Sequence, residues 1–112
     1  MTSLSARAAR RMALKIAARE FKKEIETAGL DNLKTLADSG ISIVNTYLNA
    51  CSHQEKEKKR RALNTFLQMG ITPEMLLSEL TRQMPVIASI MQSRESYKAS
   101  EIQKLTAFLQ ES

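Results

Sequence analysis

Apolar residues recur at intervals of three and four along most of this chain, which is the spacing of one face of an α-helix. The first such pattern runs from Ser5 to Ala28 without a proline or glycine, and Gly29 follows it as a helix stop. The residues on its apolar side are Ala13, Leu14, Ala17, Phe21, Ile25 and Ala28. We therefore predict an amphipathic helix over about residues 5–28.

A second helical pattern covers about residues 32–51, and Asp31 can cap its first turn. Gly40 lies inside this pattern, where it can kink or split the helix. The β-branched stretch 41–44 could instead form a strand, but the sequence offers that strand no partner. We predict a helix over the whole segment.

Local signals mark the start and end of the next two helices. Ser52 with Glu55 three residues later forms a capping box, which predicts a third helix that ends before Gly70. Thr72 and Pro73 are the N-cap and first residue expected of a fourth helix.

Pro85 must end or kink the fourth helix near Gln83 or Met84. Apolar residues from Val86 to Met91 predict a short helical piece after it, and residues 93–100 are predicted to form a loop. Ser100 with Gln103 forms a second capping box, which predicts the start of the last helix.

Composition agrees with a helical protein. Of 112 residues, 43% are hydrophobic and 26% charged, with three glycines, two prolines and no tryptophan. Few chain-breaking residues predict few, long elements, and this length suffices for one modest core. We predict an all-α fold, a single-domain bundle of about five helices over residues 1–112, with Met-rich C-terminal helices over about residues 72–111.

Positive charge is concentrated in two segments. The formal net charge is +5, and residues 1–28 hold seven basic and three acidic side chains, whereas residues 53–64 hold five and two. The remaining residues are slightly acidic. This distribution favours an anionic partner, such as nucleic acid, an anionic membrane surface or an acidic protein.

The stretch HQEKEKKRR, residues 53–61, is the densest charge run. Glu55 and Lys59 lie four residues apart, as do Glu57 and Arg61, so the spacing predicts two ion pairs of about 0.2–0.5 kcal/mol each on a solvated helix face. The cations that these pairs leave without an acid are Lys56, Lys58 and Arg60.

This surplus favours a contact surface over a merely solvated one. If the two basic helices lie side by side, they form one patch for a phosphate backbone. Our first hypothesis is a non-enzymatic helical protein, a nucleic-acid-associated regulator or accessory factor. The candidate phosphate-binding residues are Arg7, Arg10, Arg11, Lys15, Arg19, Lys56, Lys58, Lys59, Arg60 and Arg61.

The alternative hypothesis is a protein-interaction or adaptor module that can form homo-oligomers. Methionine adapts to irregular surfaces and recurs in grooves that bind partner helices. The methionines that would line such a groove are Met69, Met75, Met84 and Met91, although core filling explains them better in a chain without tryptophan.

The sequence offers little for catalysis or metal binding. Cys51 and His53 are its only thiol and imidazole, whereas a zinc site takes three or four protein ligands. Neither GxGxxG nor GxxxxGK[ST] is present. We expect no enzymatic activity and no cofactor, and we expect Cys51 to be a buried core residue.

Cysteine usage and hydropathy bear on localisation. A single cysteine excludes an internal disulfide and fits a reducing cytoplasm. The basic N-terminus lacks the apolar region of a secretory signal; its first nineteen residues have the composition of a transit peptide but continue into an acid-containing helix. No apolar run approaches about 18 residues. We expect a cytoplasmic protein without a membrane span.

Residues 67–75, LQMGITPEM, resemble the Met-Gly turn of ubiquitin-associated domains and also the turn of a helix-turn-helix. The insertion of residues 85–100 before a further helix departs from the first family. The bulky Phe66 departs from the second, which places a small residue four positions before the glycine. We assign the chain to neither family.

Overall fold

The structure is a computed structural model that describes residues 2–27 and 33–111, with side chains in the first helix from Ala6 onward. The described residues form seven α-helices and no strand, so the all-α prediction is confirmed. The helices are α1 (Thr2–Thr27), α2 (Leu33–Asp38), α3 (Ile43–Ala50), α4 (His53–Gln68), α5 (Pro73–Gln83), α6 (Pro85–Ser93) and α7 (Glu95–Gln110).

There are more helices than the five predicted, because the second predicted helix is split and the piece after Pro85 forms a helix of its own. Helix α1 begins at Thr2, three residues earlier than predicted. Ala28, Gly29 and Asp31, which were expected to end this helix and to cap the next, lie outside the described residues.

Gly40 divides the segment that was predicted as one helix over residues 32–51. It adopts a left-handed φ of 78°, and the amide of Ile41 donates to the Leu36 carbonyl at 2.9 Å. This bond closes the end of α2 in a Schellman turn, a conformation that glycine adopts without strain. The chain then restarts as α3 with Ser42 as its N-cap. The split that Gly40 was expected to permit therefore occurs, and the segment is helical on both sides of it rather than continuous.

The predicted caps of α4 and α5 are confirmed. Ser52 Oγ accepts from the Glu55 amide at 3.2 Å, and the Glu55 carboxylate accepts from the Ser52 amide at 3.2 Å, so both halves of the capping box form. Thr72 Oγ1 accepts from the Met75 amide at 3.2 Å, and Pro73 is the first residue of α5.

The predicted breaks after these helices are confirmed as well. Gly70, with a left-handed φ of 90°, turns the chain between α4 and α5. Helix α5 ends at Gln83, and Pro85 opens α6. Because proline has no backbone N–H, it is tolerated in a first turn and not in a helix interior.

The predicted loop over residues 93–100 was wrong, and so was the cap at Ser100. Helix α7 begins at Glu95, so Ser100 lies in its second turn. Tyr97 and Glu101 lie four residues apart on this helix, and both are buried. Their burial against the start of α3 outweighs the local capping signal.

The helices pack in pairs around one core. Helix α5 packs along α1, α2 against α6, and α3 and α4 against α7, while α5, α6 and α7 contact one another. Aliphatic and Met side chains fill most of the core, with two tyrosines and Phe21 and Phe108 among them. Its most deeply buried large side chains include Ile25, Ile43, Leu77, Ile87 and Leu105.

One carboxyl group from α7 organises the start of α3. Glu101 is 1% exposed. Its Oε1 accepts from Ser42 Oγ, and its Oε2 accepts from the amides of Ile43 and Val44 at 3.0 and 3.4 Å. Tyr97 Oη lies 3.2 Å from the same Oε2. Amides at a helix start have no partner within their own helix, so Glu101 supplies acceptors that α3 otherwise lacks.

The Tyr97 hydroxyl has one proton and two acceptors in reach, because it also lies 3.0 Å from the Ile41 carbonyl. If Glu101 carries a proton, it can donate to Tyr97 while Tyr97 donates to Ile41, and each oxygen is satisfied. Burial raises the pKa of the Glu101 carboxyl, and the hydrogen bonds from Ser42, Ile43 and Val44 oppose that rise in part.

We predict that Glu101→Gln reduces the dependence of stability on pH. Because the folded pKa of Glu101 lies above its unfolded value, its contribution is fully present below about pH 4.3 and is lost as pH rises through the folded pKa. The wild type should therefore lose stability relative to the variant from about pH 4.3 upward. Urea unfolding of both proteins between acid and neutral pH measures the difference; parallel stability curves would contradict it.

A second prediction compares the two serines that share a capping pattern. Ser52→Ala should lower the free energy of unfolding by about 0.5–2 kcal/mol, because it removes the bond to the Glu55 amide. Ser100→Ala should change it by less than about 0.5 kcal/mol, because Ser100 lies inside α7 and alanine is a strong helix former. Equal losses in chemical denaturation would contradict the placement of Ser100.

Candidate nucleic-acid interface

The N-terminal part of α1 lies outside the packed bundle. Every residue from Ala6 to Met12 is exposed, and we call residues 6–12 the overhang. Burial begins with the half-buried Ala13 and Leu14 and is complete at Ala18, Phe21 and Ile25. The C-terminal part of α1 therefore anchors the helix in the core, while its first turns project.

The side of α1 that is buried in the bundle is occupied by arginines in the overhang. Leu14 precedes Ala18 by four residues, and the same helical spacing extended backward leads to Arg10 and Arg11, and from Arg11 to Arg7. The side of α1 that is apolar where it meets the bundle is thus cationic where the bundle ends. All three arginines are exposed.

Arg7, Arg11 and Lys15 follow one another at intervals of four and line one shallow concavity together with Ala8 and Met12. No acidic residue precedes Glu20 in the sequence, so no carboxylate within this stretch neutralises these cations. A row of like charges along an exposed helix produces a positive potential that attracts polyanions. Arg19, the next predicted residue along α1, is also exposed.

Arg10 connects the overhang to the turn between α4 and α5. A Cβ atom placed on Gly70 would lie 3.7 Å from Arg10 Nη1, so the guanidinium passes directly over this turn. The predicted residues of α1 are all exposed, although the helix is packed against the bundle between the last two of them; they are Arg7, Arg10, Arg11, Lys15 and Arg19.

Lys59 does not form the predicted pair with Glu55. Its ammonium binds the Glu24 carboxylate of α1 instead and lies 5.4 Å from the centre of the Tyr47 ring. Glu55 caps α4, and its hydrogen bonds with Ser52 hold the pKa of Glu55 below its usual value. With its side chain only 18% exposed, Lys59 holds α1 and α4 together.

The same contact includes an aromatic pair. The Tyr47 hydroxyl donates to Glu24, and the Tyr47 ring meets Phe21 edge to face with ring centres 5.3 Å apart. Burial and the neighbouring carboxylate raise the pKa of Tyr47 well above its usual range, so its hydroxyl remains a donor. The sequence analysis identified neither Glu24 nor Tyr47 as partners of Lys59.

Arg60, predicted to be a cation without an acid, is an internal residue with 8% exposure. Its Nε donates to the Phe108 carbonyl at 2.9 Å, and its guanidinium lies 4.5 Å from the Phe108 ring centre. It also forms ion pairs with Glu57 and, at 3.2 Å, with Glu111. The expectation that Arg60 is free for a partner was wrong, because these contacts fix the end of α7 against α4.

The remaining cations of α4 lie away from this junction. Lys58 and Arg61 are exposed, and Lys56 is half-buried. Glu57 pairs with Arg60 rather than with Arg61, so the second predicted i,i+4 pair does not form. Lys58 and Arg61, three residues apart, therefore share the outer face of α4.

The two basic helices do not meet through a common cationic face. Where α1 and α4 approach each other, the Glu24 carboxylate lies between them and neutralises Lys59. Lys59 therefore adds no unpaired positive charge between the overhang and the outer pair, Lys58 and Arg61.

Cys51 is half-buried rather than fully buried as predicted. Its thiol donates to the Tyr47 carbonyl at 3.5 Å, at the rim of the core, and it lines a cleft with Lys23, Glu24 and Lys59. His53 is exposed as the first residue of α4. Within residues 2–27 and 33–111 there is no group of three His, Cys, Asp or Glu that could hold a metal ion.

The four methionines do not form one groove. Met84 and Met91 are buried in the core, whereas Met69 and Met75 are 43% and 37% exposed on either side of the turn at Gly70. The predicted partner-binding set is therefore divided between packing and surface.

Comparison with known proteins does not assign this chain to a family: no family model, curated protein or solved structure matches it. In the part of the chain that the structure describes, no helix combines the length and the apolar character needed to cross a bilayer.

We predict that Arg60→Gln lowers the free energy of unfolding by about 1–3 kcal/mol, because it leaves the Phe108 carbonyl and two carboxylates without their shared donor. Lys58→Gln, on the outer face of the same helix, is the matched control and should change stability by less than about 0.5 kcal/mol. Urea denaturation compares them, and equal midpoints would show that the Arg60 contacts do not stabilise the fold.

Proposed function

We propose that this protein binds the phosphate backbone of nucleic acid through the α1 overhang and the exposed cations of the two turns that follow it. The residues that carry the binding are Arg7, Arg10, Arg11, Lys15 and Arg19. The supporting observation is the change of the core stripe to arginine where the bundle ends. All five side chains are exposed, although Arg10 also lies over the Gly70 turn, and their charge suits an anionic partner seated beside the helix.

The proposed role is that of a non-enzymatic regulator or accessory factor. Phosphate contacts by Lys and Arg give affinity that depends little on sequence, because they do not contact base edges. Few aromatic side chains are present for base stacking, and Phe21 and Tyr47 are buried, which disfavours specialisation for single strands. A reducing cytoplasm is the expected setting, because the chain has a single cysteine.

Lys58 and Arg61 are proposed as a second, smaller contact on the outer face of α4, with the half-buried Lys56 beside them. They would reach phosphates only on a nucleic acid long enough to extend past the overhang. Lys59 and Arg60 are left out, because both bind carboxylates within the protein.

A second candidate function is a protein-interaction module. It is favoured by the exposure of Met69 and Met75 on either side of Gly70, since large apolar side chains at a surface mark partner sites more often when they cluster. Binding of this kind is driven by apolar contact, so it should depend little on salt, whereas phosphate binding should weaken steeply.

Salt-dependent binding to generic duplexes tests the proposal. We predict that the double variant Arg10→Gln/Lys15→Gln makes the log–log salt slope shallower by about two, about one for each lost phosphate contact, by the same amount for unrelated sequences. The variant should remain folded, because both side chains are exposed and glutamine is a good helix former.

The matched control is Lys34→Gln/Lys104→Gln, which removes the same net charge from exposed positions outside α1. It should leave the slope unchanged. Equal effects of the two double variants would show that only net charge matters. A wild-type protein that binds neither DNA nor RNA at low salt would contradict the proposal and leave the interaction module as the better explanation.

A further inference from the structure

The overhang has the dimensions of an element that enters a nucleic-acid groove. An α-helix with side chains is about 10–12 Å across, and the major groove of B-form DNA is about 12 Å wide and 8.5 Å deep. The seven residues of the overhang span about 10 Å, and each of them is exposed. The turn at Gly70 approaches this stretch beside Arg10 and leaves Arg7 and Arg11 exposed.

We propose that the overhang inserts into the major groove of duplex DNA, with Arg7 and Arg11 directed at base edges and Arg10 and Lys15 at the phosphates on either side. The inference rests on the proposed function and names its substrate class. It also distinguishes cations that contact base edges from cations that contact phosphates, a distinction that composition alone does not make.

Helix geometry assigns the roles. At about 100° per residue, Arg7 and Arg11 lie about 40° apart at the centre of the cationic arc. Arg10 lies about 60° to one side of Arg7, and Lys15 lies about 40° to the other side of Arg11. A helix in a groove points its central side chains at the floor and its flanking ones at the two walls, where the phosphates are.

The chemistry of the side chains fits the same placement. The planar guanidinium of arginine binds guanine O6 and N7 through two hydrogen bonds, the commonest specific contact in the major groove. Ala6, Ala8 and Ala9 add little bulk to the helix, so they allow a close approach. The first acidic residue, Glu20, lies beyond the half-buried Leu14, in the part of the helix that is already packed against the bundle. Its carboxylate is therefore outside the stretch that would enter the groove.

Duplex RNA and lipid fit less well. The major groove of A-form RNA is deep and too narrow for side chains to read, so the same helix could reach only its backbone. An interfacial membrane helix needs a broad apolar face. Among the side chains of α1 that the structure describes, from Ala6 onward, the exposed large apolar ones are Met12 and Ile16, 65% and 51% exposed, which is a small area for lipid insertion.

Methylation of guanine N7 by dimethyl sulfate tests the inference directly, because N7 faces the major groove. On a mixed-sequence DNA duplex saturated with the full-length protein, we expect N7 protection. We also expect affinity for the DNA duplex to exceed that for an RNA duplex of the same sequence by about tenfold or more. Binding of DNA with N7 fully reactive, or equal affinity for RNA, would overturn groove insertion and leave backbone binding intact.

Charge-preserving variants separate base contacts from phosphate contacts. Arg7→Lys/Arg11→Lys keeps the charge but removes the planar fork, so N7 protection should fall about fivefold or more at equal occupancy. The control Arg10→Lys/Arg19→Lys should retain the protection. Equal protection in the two variants would overturn the assignment of Arg7 and Arg11 to base edges.

Two further outcomes would overturn this inference together with the proposed function. No binding to any nucleic acid at low salt would overturn both. Sedimentation with anionic phosphatidylserine vesicles, in the absence of any DNA binding, would also overturn both and identify the overhang as a lipid-binding helix.

Discussion

The length of α1 is the constraint on which the arrangement of this protein depends. Its 26 residues extend about 39 Å, whereas the longest other helices, α4 and α7, have 16 residues and extend about 24 Å. The main partner of α1 in the bundle is α5, whose 11 residues extend only about 17 Å, so α5 cannot cover α1 along its whole extent. The buried stripe ends at Leu14, and the exposed turns before it carry the arginines of the overhang.

Two charged side chains hold the remaining helices in place from inside the bundle. Glu101 accepts from the start of α3, and Arg60 donates to the end of α7, so each satisfies backbone groups that a helix end leaves without partners. Both are buried groups whose loss would leave polar atoms unpaired, and such groups specify one arrangement of helices against others. The basic segment of α4 therefore serves two purposes, since Lys59 and Arg60 maintain the fold and only its outer cations face solvent.

Features of the fold that depend on residues close in sequence were predicted, whereas features that depend on contacts between distant residues were not. Helix starts at Ser52 and Thr72 and the break at Pro85 depend on atoms a few residues apart, and all three were predicted correctly. Ser100 has an equivalent local pattern and failed, because α3, far away in sequence, buries the neighbouring Glu101. The surplus of cations indicated α1 as a candidate contact surface, and the apolar side of this helix could be predicted from the sequence. The residue at which the bundle ends could not, because it depends on how far the other helices reach.

Hydrogen exchange of the α1 backbone amides, in the free protein and in the presence of duplex DNA, tests the central claim most directly. The account predicts that residues 6–12 exchange much faster than residues 18–25 in the free protein, because the former lie outside the core. Saturating DNA should then protect residues 6–12 and leave the core amides unchanged. Strong protection of residues 6–12 in the free protein, or DNA-induced protection confined to other helices, would contradict the assignment of the overhang as the nucleic-acid-binding element.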